Sequence, residues 1–291
     1  MKNYLRFFKE KKFIIPSSLF ALLLFANSCV SFRMTDKKVL NTFKEHNQTP
    51  KIFHLNYKGT PMRYVASKSI DKKLPTLLFI HGAPGSSADF YRYLRDSDLN
   101  KSANLISMDR LGYGYSNYGK AETSITAQAK SAFFILKKNK LQRVIVIGWS
   151  YGGPIAAKMA YLYPKTIKHC VLIAPAISPK DEKYFALGKL AYWKATRWML
   201  PKAFRVAEDE KLSHAKELKL MLPDWSKMQT QISYYQGDKD KIVPYANTQF
   251  VKNHVAANKL KVVTIKNGSH FIAFKNYDLI KAELLRILDE I

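Results

Sequence analysis

The chain has 291 residues, 47% of them hydrophobic and 13% aromatic, which is enough to bury the core of one large domain. Lys and Arg outnumber Asp and Glu by 48 to 22, and the formal charge of +26 favours anionic partners such as phospholipid head groups or nucleic acid. The lysines are scattered and no nucleic-acid-binding module is found, so a solvated lysine-rich surface and attraction to a membrane surface are the interpretations left open. Two cysteines exclude a disulfide framework.

The N-terminus has the composition of an export or anchor segment. A lysine-rich start precedes an apolar run from Phe13 to Ala26, which is shorter than the roughly 20 residues that a spanning helix prefers. This pattern predicts a signal peptide or membrane anchor over residues 1–28. Ala26-Asn27-Ser28-Cys29 resembles a bacterial lipoprotein signal, in which Cys29 would be the lipidated first residue. An uncleaved anchor and an ordinary cleaved signal remain open, and residues 29–50 are predicted to be a polar tether. We therefore expect a membrane-anchored domain in the cell envelope, outside the cytoplasm.

From residue 51 onward, extended and helical patterns alternate. Two short extended segments flank Lys58-Gly59, which indicates a hairpin. The predicted strands that follow are Thr76–His81, Ala103–Met108, Val144–Ile147, Ile167–Ala174, Gln231–Gln236 and Lys261–Lys266, and the predicted helices are Ser86–Arg95, Thr123–Lys138, Pro154–Tyr163, Tyr245–Val255 and Phe271–Ile291. Such alternation predicts an α/β domain over residues 51–291, with a mostly parallel central sheet and helices on both faces. Ligands of such sheets bind at the carboxyl ends of the strands.

One segment, at about residues 177–229, breaks this alternation. It is too long and too apolar for a plain loop, so the sequence predicts a small helical lid inserted before the strand that precedes the candidate acid. Three of the four tryptophans lie in it, and its aromatic residues suit a wall for an apolar substrate; they are Tyr184, Phe185, Tyr192, Trp193, Trp198, Phe204 and Trp225. A helical insertion that only packs is the alternative.

The strand at Val144–Ile147 runs directly into Gly148-Trp149-Ser150-Tyr151-Gly152. This is the pattern G-x-S-x-G, a sharp strand-to-helix turn that presents a serine hydroxyl as a nucleophile. The turn strains the serine backbone, so the residues two before and two after it must be small. The other interpretation is a glycine-rich loop with a helix-capping serine.

A serine nucleophile needs a base to take its proton and a carboxylate to orient that base. Both must lie at strand ends that converge on Ser150. Asp238 and Asp240 follow the strand that ends at residue 236, and His270 follows the strand that ends at residue 266. The chain order Ser, Asp, His is typical of the fold in which this turn occurs.

These blocks together resemble the α/β-hydrolase fold superfamily, in its cap-bearing, esterase-like branch, over about residues 50–291. The family pattern G-x-x-D-x-[IV]-[VT]-P, read onto Gly237 to Pro244, selects Asp240 as the acid. Asp238 is the first alternative, and Asp181 is a second because some members take their acid after the preceding strand. The base of the family matches His270. The other histidines are expected to have surface or core roles; they are His46, His54, His169, His214 and His254.

The resemblance also implies an oxyanion hole. The block from His81 to Ser86 resembles the family's oxyanion loop, so the backbone N–H groups of Ala83 and Tyr151 are implied as donors to the developing oxyanion. Losing one such donor costs about 3 kcal/mol of barrier. His81 itself is expected to hold the loop, and Asp109-Arg110-Leu111-Gly112-Tyr113-Gly114-Tyr115-Ser116 matches a family block that we interpret as architecture.

A serine at position 150 disfavours the epoxide hydrolases and haloalkane dehalogenases, which have aspartate there. The expected activity is cleavage of a carboxylic ester through an acyl-enzyme, with an apolar acyl ester as the small-molecule substrate. No cofactor, metal or nucleic acid is expected, and membrane contact would come through the N-terminal anchor or lipid. Open alternatives are an aminopeptidase that binds an amine at Glu208-Asp209-Glu210, a C–C bond hydrolase, a haloperoxidase-like enzyme and a non-catalytic binding module.

Overall fold

The structure, a computed structural model, describes residues 32–183 and 194–291. The predicted signal segment, Cys29 and lid residues 184–193 lie outside the described residues. One sheet of eight strands forms the centre, in the order β1-β2-β4-β3-β5-β6-β7-β8. The strands are β1 Lys51–Tyr57, β2 Thr60–Ala66, β3 Thr76–Ile80, β4 Asn104–Met108, β5 Val144–Trp149, β6 Ile167–Ile173, β7 Gln231–Gly237 and β8 Leu260–Ile265. β2 pairs antiparallel with β1 and β4, and every other pair is parallel.

Helices cover both faces of this sheet. They are α1 Asp36–Lys44, α2 Tyr91–Leu94, α3 Ser97–Ser102, α4 Ile125–Asn139, α5 Gly152–Leu162, α6 Lys194–Arg197, α7 Lys202–Leu220, α8 Leu222–Trp225, α9 Ala246–His254, α10 Ile272–Lys275 and α11 Tyr277–Asp289, with short 3₁₀ turns at Ser87–Phe90 and Ala257–Lys259. One apolar cluster joins the sheet to α4, α5 and α9, and a second joins it to α1, α2, α3 and α11. The central strands β3 and β5 are largely apolar because both of their faces are buried. The predicted mostly parallel sheet with helices on both faces is thereby confirmed.

The predicted hairpin joins β1 to β2. Lys58 and Gly59 have φ angles of 52° and 81°, and the strands pair from Tyr57–Thr60 at the turn to Lys51–Ala66 at the far end. Positive φ at both central residues matches the twist of the flanking strands, and glycine adopts it without strain.

The segment before β1 differs from the predicted tether. Within residues 29–50, α1 forms behind Thr35, whose hydroxyl accepts a hydrogen bond from the Lys38 N–H. Val39 and Phe43, one helical turn apart, are completely buried in the second apolar cluster. Most residues of α1 are polar, so the sequence pattern does not indicate a docked helix. Two apolar side chains at i and i+4 are nevertheless enough to pack it against the domain. The prediction of a tether is therefore wrong for residues 36–44.

From residue 194 onward the predicted lid is mostly helical, in α6, α7 and α8, but its two described tryptophans, Trp198 and Trp225, do not line the cavity. Trp225 is buried in the first apolar cluster, and Trp198 is 41% exposed. Phe204 of α7 does face the cavity above the strand ends. The other four aromatic residues of that prediction, Tyr184, Phe185, Tyr192 and Trp193, lie outside the described residues.

Candidate active site

Ser150 occupies the sharp turn between β5 and α5. Its φ is +55°, in the left-handed region, and its N–H donates to the Ile173 carbonyl at 3.0 Å. The turn needs glycine on both sides. A Cβ on Gly152 would lie 2.2 Å from the Ile80 carbonyl oxygen, and one on Gly148 would lie 2.3 Å from the Gly152 oxygen. The backbone therefore holds the hydroxyl at the carboxyl end of the sheet.

The structure brings Ser150, His270 and Asp240 into one hydrogen-bonded chain. His270 Nε2 lies 2.9 Å from Ser150 Oγ, and His270 Nδ1 lies 2.8 Å from Asp240 Oδ2. Because an ionised carboxylate can only accept, Nδ1 carries the proton and Nε2 accepts from the serine hydroxyl. The alternative acids lie apart from this chain: Asp238 is exposed, and Asp181 accepts a hydrogen bond from Ser178.

Asp240 is fixed in place by backbone and side-chain donors. Its Oδ1 accepts from the N–H groups of Ile242 and Val243 at 2.8 and 2.9 Å, and its Oδ2 also accepts from Gln236 Nε2 at 3.0 Å. The loop that contains His270 is also held in place, because Trp149 Nε1 donates to the His270 carbonyl at 3.0 Å. These contacts leave the carboxylate in one orientation towards the imidazole.

The loop that follows β3 is held by His81 and Arg110. The backbone N–H of Arg110 donates to His81 Nε2 at 3.0 Å, so His81 Nδ1 carries the proton that it donates to the Gly82 carbonyl at 2.7 Å. Burial, with Arg110 nearby, keeps the pKa of His81 well below its usual value, which favours this neutral form. The Arg110 guanidinium donates to the same carbonyl and to that of His81, each at 3.0 Å. In a planar trans peptide the Ala83 N–H points away from the Gly82 carbonyl, so these bonds fix its direction.

Ala83 and Tyr151, the two implied oxyanion donors, both line the cavity that contains Ser150. Neither N–H donates to a carbonyl among the turn and loop hydrogen bonds of the described residues. The structure thus places both residues beside the serine.

The lid is connected to this loop through a buried ion pair. Both side chains are fully buried, and Arg110 donates to Glu210 of α7 at 2.6 and 3.1 Å while Tyr113 adds a hydrogen bond at 2.6 Å. Burial acts against the charged form of Arg110, yet the Glu210 carboxylate raises the pKa of the guanidinium above its usual value. The sequence suggested Glu210 as part of an amine-binding cluster, but in the structure its carboxylate forms an ion pair with Arg110.

The cavity above Ser150 has a volume of about 400 Å³ and two kinds of wall. The apolar lining consists mainly of Leu200, Phe204, Ala207, Ile242, Val243 and Pro244. The polar lining includes Asp181, Glu182, Lys183, Glu208, Lys211 and His214. Such a cavity can hold an apolar chain and a polar group at the same time.

His214 lines the cavity, whereas a surface or core role was expected for it from the sequence. Its ring stacks on Tyr151 with centroids 4.5 Å apart, and its Nδ1 lies 3.1 Å from Glu182 Oε1. Glu182 is also paired with Lys211. Burial alone would raise the pKa of Glu182, but the contacts with His214 and Lys211 lower it. The spacing of Lys211 and His214, three residues apart on α7, is the sequence signal that could have indicated a shared face.

The remaining histidines that the structure describes have other partners. His46 contacts Arg95, His54 contacts Asp36, His169 contacts Ser233, and His254 contacts the Phe250 carbonyl. Within residues 32–183 and 194–291, no group of three or more His, Cys, Asp or Glu side chains is arranged to hold a metal ion. No helix in the same ranges is long and apolar enough to cross a membrane.

Comparisons with known proteins agree with this architecture. A family model described as the alpha/beta hydrolase fold matches residues 75–209. A 1-acylglycerol-3-phosphate O-acyltransferase of Arabidopsis thaliana is 32% identical over 143 residues, which are 45% of this chain and 34% of that protein. The chain spans about a third of the length of the curated relatives it matches.

Two solved structures are similar over most of their length. A bacterial membrane phospholipase A, described as a virulence factor, has a TM-score of 0.67 at 17% identity and covers 94% of this chain and 95% of its own. An alpha/beta hydrolase enzyme from a deep-sea metagenome library has a TM-score of 0.64 at 16% identity, over 80% of this chain and 96% of its own. Together with the sheet order and the turn at Ser150, these likenesses lead to one conclusion: the chain has the α/β-hydrolase fold.

Proposed function

We propose that the protein is a serine hydrolase that cleaves a carboxylic ester with an apolar acyl group. The observation that carries this proposal is the continuous chain of hydrogen bonds from Asp240 through His270 to Ser150 at the floor of a largely apolar cavity. A helix-capping serine needs no such chain, because its hydroxyl would bond to a backbone N–H instead. A pure binding module would not need the strained backbone that presents the hydroxyl.

In the proposed mechanism His270 Nε2 takes the proton of the Ser150 hydroxyl while Oγ attacks the ester carbonyl carbon. The carbonyl oxygen becomes an oxyanion, which accepts hydrogen bonds from the N–H groups of Ala83 and Tyr151. The imidazolium then protonates the alcohol oxygen, and the C–O bond breaks to leave an acyl-enzyme. Water, deprotonated by His270, attacks the acyl carbon; the bond between that carbon and Ser150 Oγ breaks, the imidazolium returns the proton to Oγ, and the acid is released. Asp240 keeps its proton-free form and orients the imidazole throughout.

The cavity walls support an amphipathic substrate. Its apolar lining suits an acyl chain, and its lysines and His214 suit a polar alcohol portion. The names of similar proteins, a membrane phospholipase A and an acylglycerol-phosphate acyltransferase, both refer to lipid acyl esters. Of the acids considered for amine binding in an aminopeptidase, Glu210 is engaged by Arg110 and Tyr113, while Glu208 lines the cavity and keeps that alternative open.

A second candidate is transfer of the acyl group to an alcohol in place of water. Lys183 at the cavity gives an anionic alcohol a cation to bind, whereas Lys211 is paired with Glu182, and the Arabidopsis relative is named for transfer to such an acceptor. Product analysis distinguishes the two candidates. Acyl transfer predicts an acylated alcohol when glycerol 3-phosphate or its monoacyl ester is added, whereas hydrolysis predicts free acid only.

The proposal is tested with p-nitrophenyl esters of increasing acyl length. We expect turnover that rises from acetyl to medium or long acyl groups and is absent in Ser150→Ala. A sharp preference for acetyl would contradict the proposed substrate class. Turnover retained by folded Ser150→Ala would contradict the nucleophile.

A further inference from the structure

Residues 32 and 33 lie against the lid. Phe32 packs edge-on against Phe204 with ring centroids 5.6 Å apart, and Phe204 lines the cavity in front of Ser150. The Arg33 guanidinium lies over the rings of Tyr115 and Tyr118, at 4.1 and 4.4 Å from their centroids. The chain that leads back into residues 1–31 therefore leaves the domain beside the cavity.

This exit point limits where an N-terminal anchor can be. Two residues separate Cys29 from Phe32 in the sequence and five separate Ala26 from it, and a chain spans at most about 3.6 Å per residue, so an anchor at either position would stay near this exit point. Residues 13–26 form the apolar run of the sequence, and a lipid on Cys29 or the uncleaved run itself would bind a bilayer. Either anchor would bring the bilayer to the side of the domain on which the cavity opens.

The rim of the cavity has the composition of a membrane-contacting surface. Ile242 lines the cavity and is 39% exposed, and Trp198 lies two residues before cavity-lining Leu200 and is 41% exposed. Exposed Lys183 reaches across to donate to the Lys241 carbonyl at 3.3 Å. Exposed aromatic and aliphatic side chains beside lysines are typical of proteins that lie in the interface of a bilayer with anionic lipid.

We propose that the cavity mouth, with its rim of Phe32, Lys183, Trp198 and Ile242, rests on a bilayer that contains anionic lipid. In this orientation an acyl chain enters the cavity from the bilayer without crossing water. The proposed membrane-binding surface is tested by lipid contact and not by ester turnover. A negative result for this surface would therefore not contradict the proposed hydrolase activity, and the reverse also holds.

The test measures which surface of the membrane-reconstituted full chain meets lipid. A thiol-reactive fluorophore is placed by Ile242→Cys, and by Leu279→Cys as a matched control of 45% exposure on α11, outside the cavity lining. Cys170 is buried, and the unsubstituted chain labelled in parallel gives the background from both native cysteines, Cys29 and Cys170. Vesicles contain phosphatidylcholine and phosphatidylglycerol with a quencher on the acyl chains, and iodide serves as the aqueous quencher.

We expect the lipid quencher to reduce emission at position 242 several-fold more than at 279, iodide to do the reverse, and the lipid effect at 242 to grow with the phosphatidylglycerol fraction. Equal lipid quenching at the two positions, or stronger quenching at 279, would overturn the proposal. Shielding of position 242 from iodide without quenching by lipid would also overturn it and would point to a protein on that surface.

Discussion

The floor of the cavity and its lid are held in different ways. On the floor, Ser150, His270 and Asp240 are positioned by strand ends, by a glycine-flanked turn and by backbone donors. The lid is attached through the buried ion pair of Glu210 with Arg110, and inside the lid Glu182 pairs with Lys211. The difference indicates that the fold itself determines the chemistry of the floor. The lid determines what reaches it, through contacts that single substitutions can change.

The largest expected effect is on the floor. Asp240→Asn keeps the shape of the side chain, but its amide donates to His270 and holds the imidazole in the wrong tautomer, so kcat should fall by about 10⁴-fold. Asp238→Asn is the matched control and should keep near-normal kcat, because Asp238 is exposed. Both are measured on a p-nitrophenyl ester, with the fold checked by circular dichroism. Equal losses, or a loss only in Asp238→Asn, would contradict the assignment of the acid.

The second effect is on the attachment of the lid. Glu210→Gln leaves the buried Arg110 charge without its partner, which should lower the free energy of unfolding by about 3–5 kcal/mol. Glu208→Gln, on the same helix and only partly buried, should change it by about 0.5 kcal/mol or less. Urea unfolding monitored by fluorescence measures both. A loss of the same size in the two variants would show that the Arg110 pair has no special role in holding the lid.

The third effect is on substrate selectivity, which a lid residue should change without abolishing catalysis. His214→Phe keeps the stack on Tyr151 but removes the ring nitrogens from the cavity. The preference for esters of polar over apolar alcohols should fall about fivefold, the equivalent of one hydrogen bond of about 1 kcal/mol. His254→Phe is the matched control, since His254 also stacks on an aromatic ring, Phe250, outside the cavity lining. If the control changes the preference as much, or if His214→Phe abolishes turnover of every ester, the division between floor and lid is wrong.

The smallest effect is a pH dependence of the lid. His214 and Lys211 lower the pKa of Glu182 below its ordinary value of 4.5, so these contacts stabilise the folded lid fully above pH 4.5. Their contribution is lost as the pH falls through the lower, folded-state pKa. Limited proteolysis between pH 7 and pH 3 should therefore cut the wild-type lid faster at the acid end. Glu182→Gln should be cut faster already at pH 7 and show less change with pH. A lid of the wild type that becomes more protected in acid would contradict this sign.

The sheet and the floor could be predicted because local sequence determines them. Continuous apolar runs mark β3, β5 and β6, and the glycines around Ser150 mark a turn that other residues cannot make. Parallel strand ends converge, so residues that follow β7 and β8 had to lie near that turn. The choice of Asp240 over Asp238 came from a family pattern, and the structure places Asp240 against the histidine.

The features that the sequence did not predict, α1 and the contacts of Glu210 and His214, depend on residues that are distant in the chain. Nothing local in α1 shows that Val39 and Phe43 find a buried surface, and so residues 29–50 were predicted to be a tether. Glu210 is one of three consecutive acids, and only the folded structure shows that Arg110, a hundred positions earlier, selects it. His214 could not be told from a surface histidine because Tyr151 and Glu182 reach it from other elements.

The most direct test of the central claim is the site of reaction with a fluorophosphonate. We expect one covalent adduct, which peptide mass spectrometry locates on Ser150. We also expect that the reaction is absent in Ser150→Ala, strongly slowed in His270→Ala, and unchanged in Asp238→Asn. Failure of the folded wild type to react, or an adduct on any other residue, would contradict the claim that Ser150 is the nucleophile of this cavity.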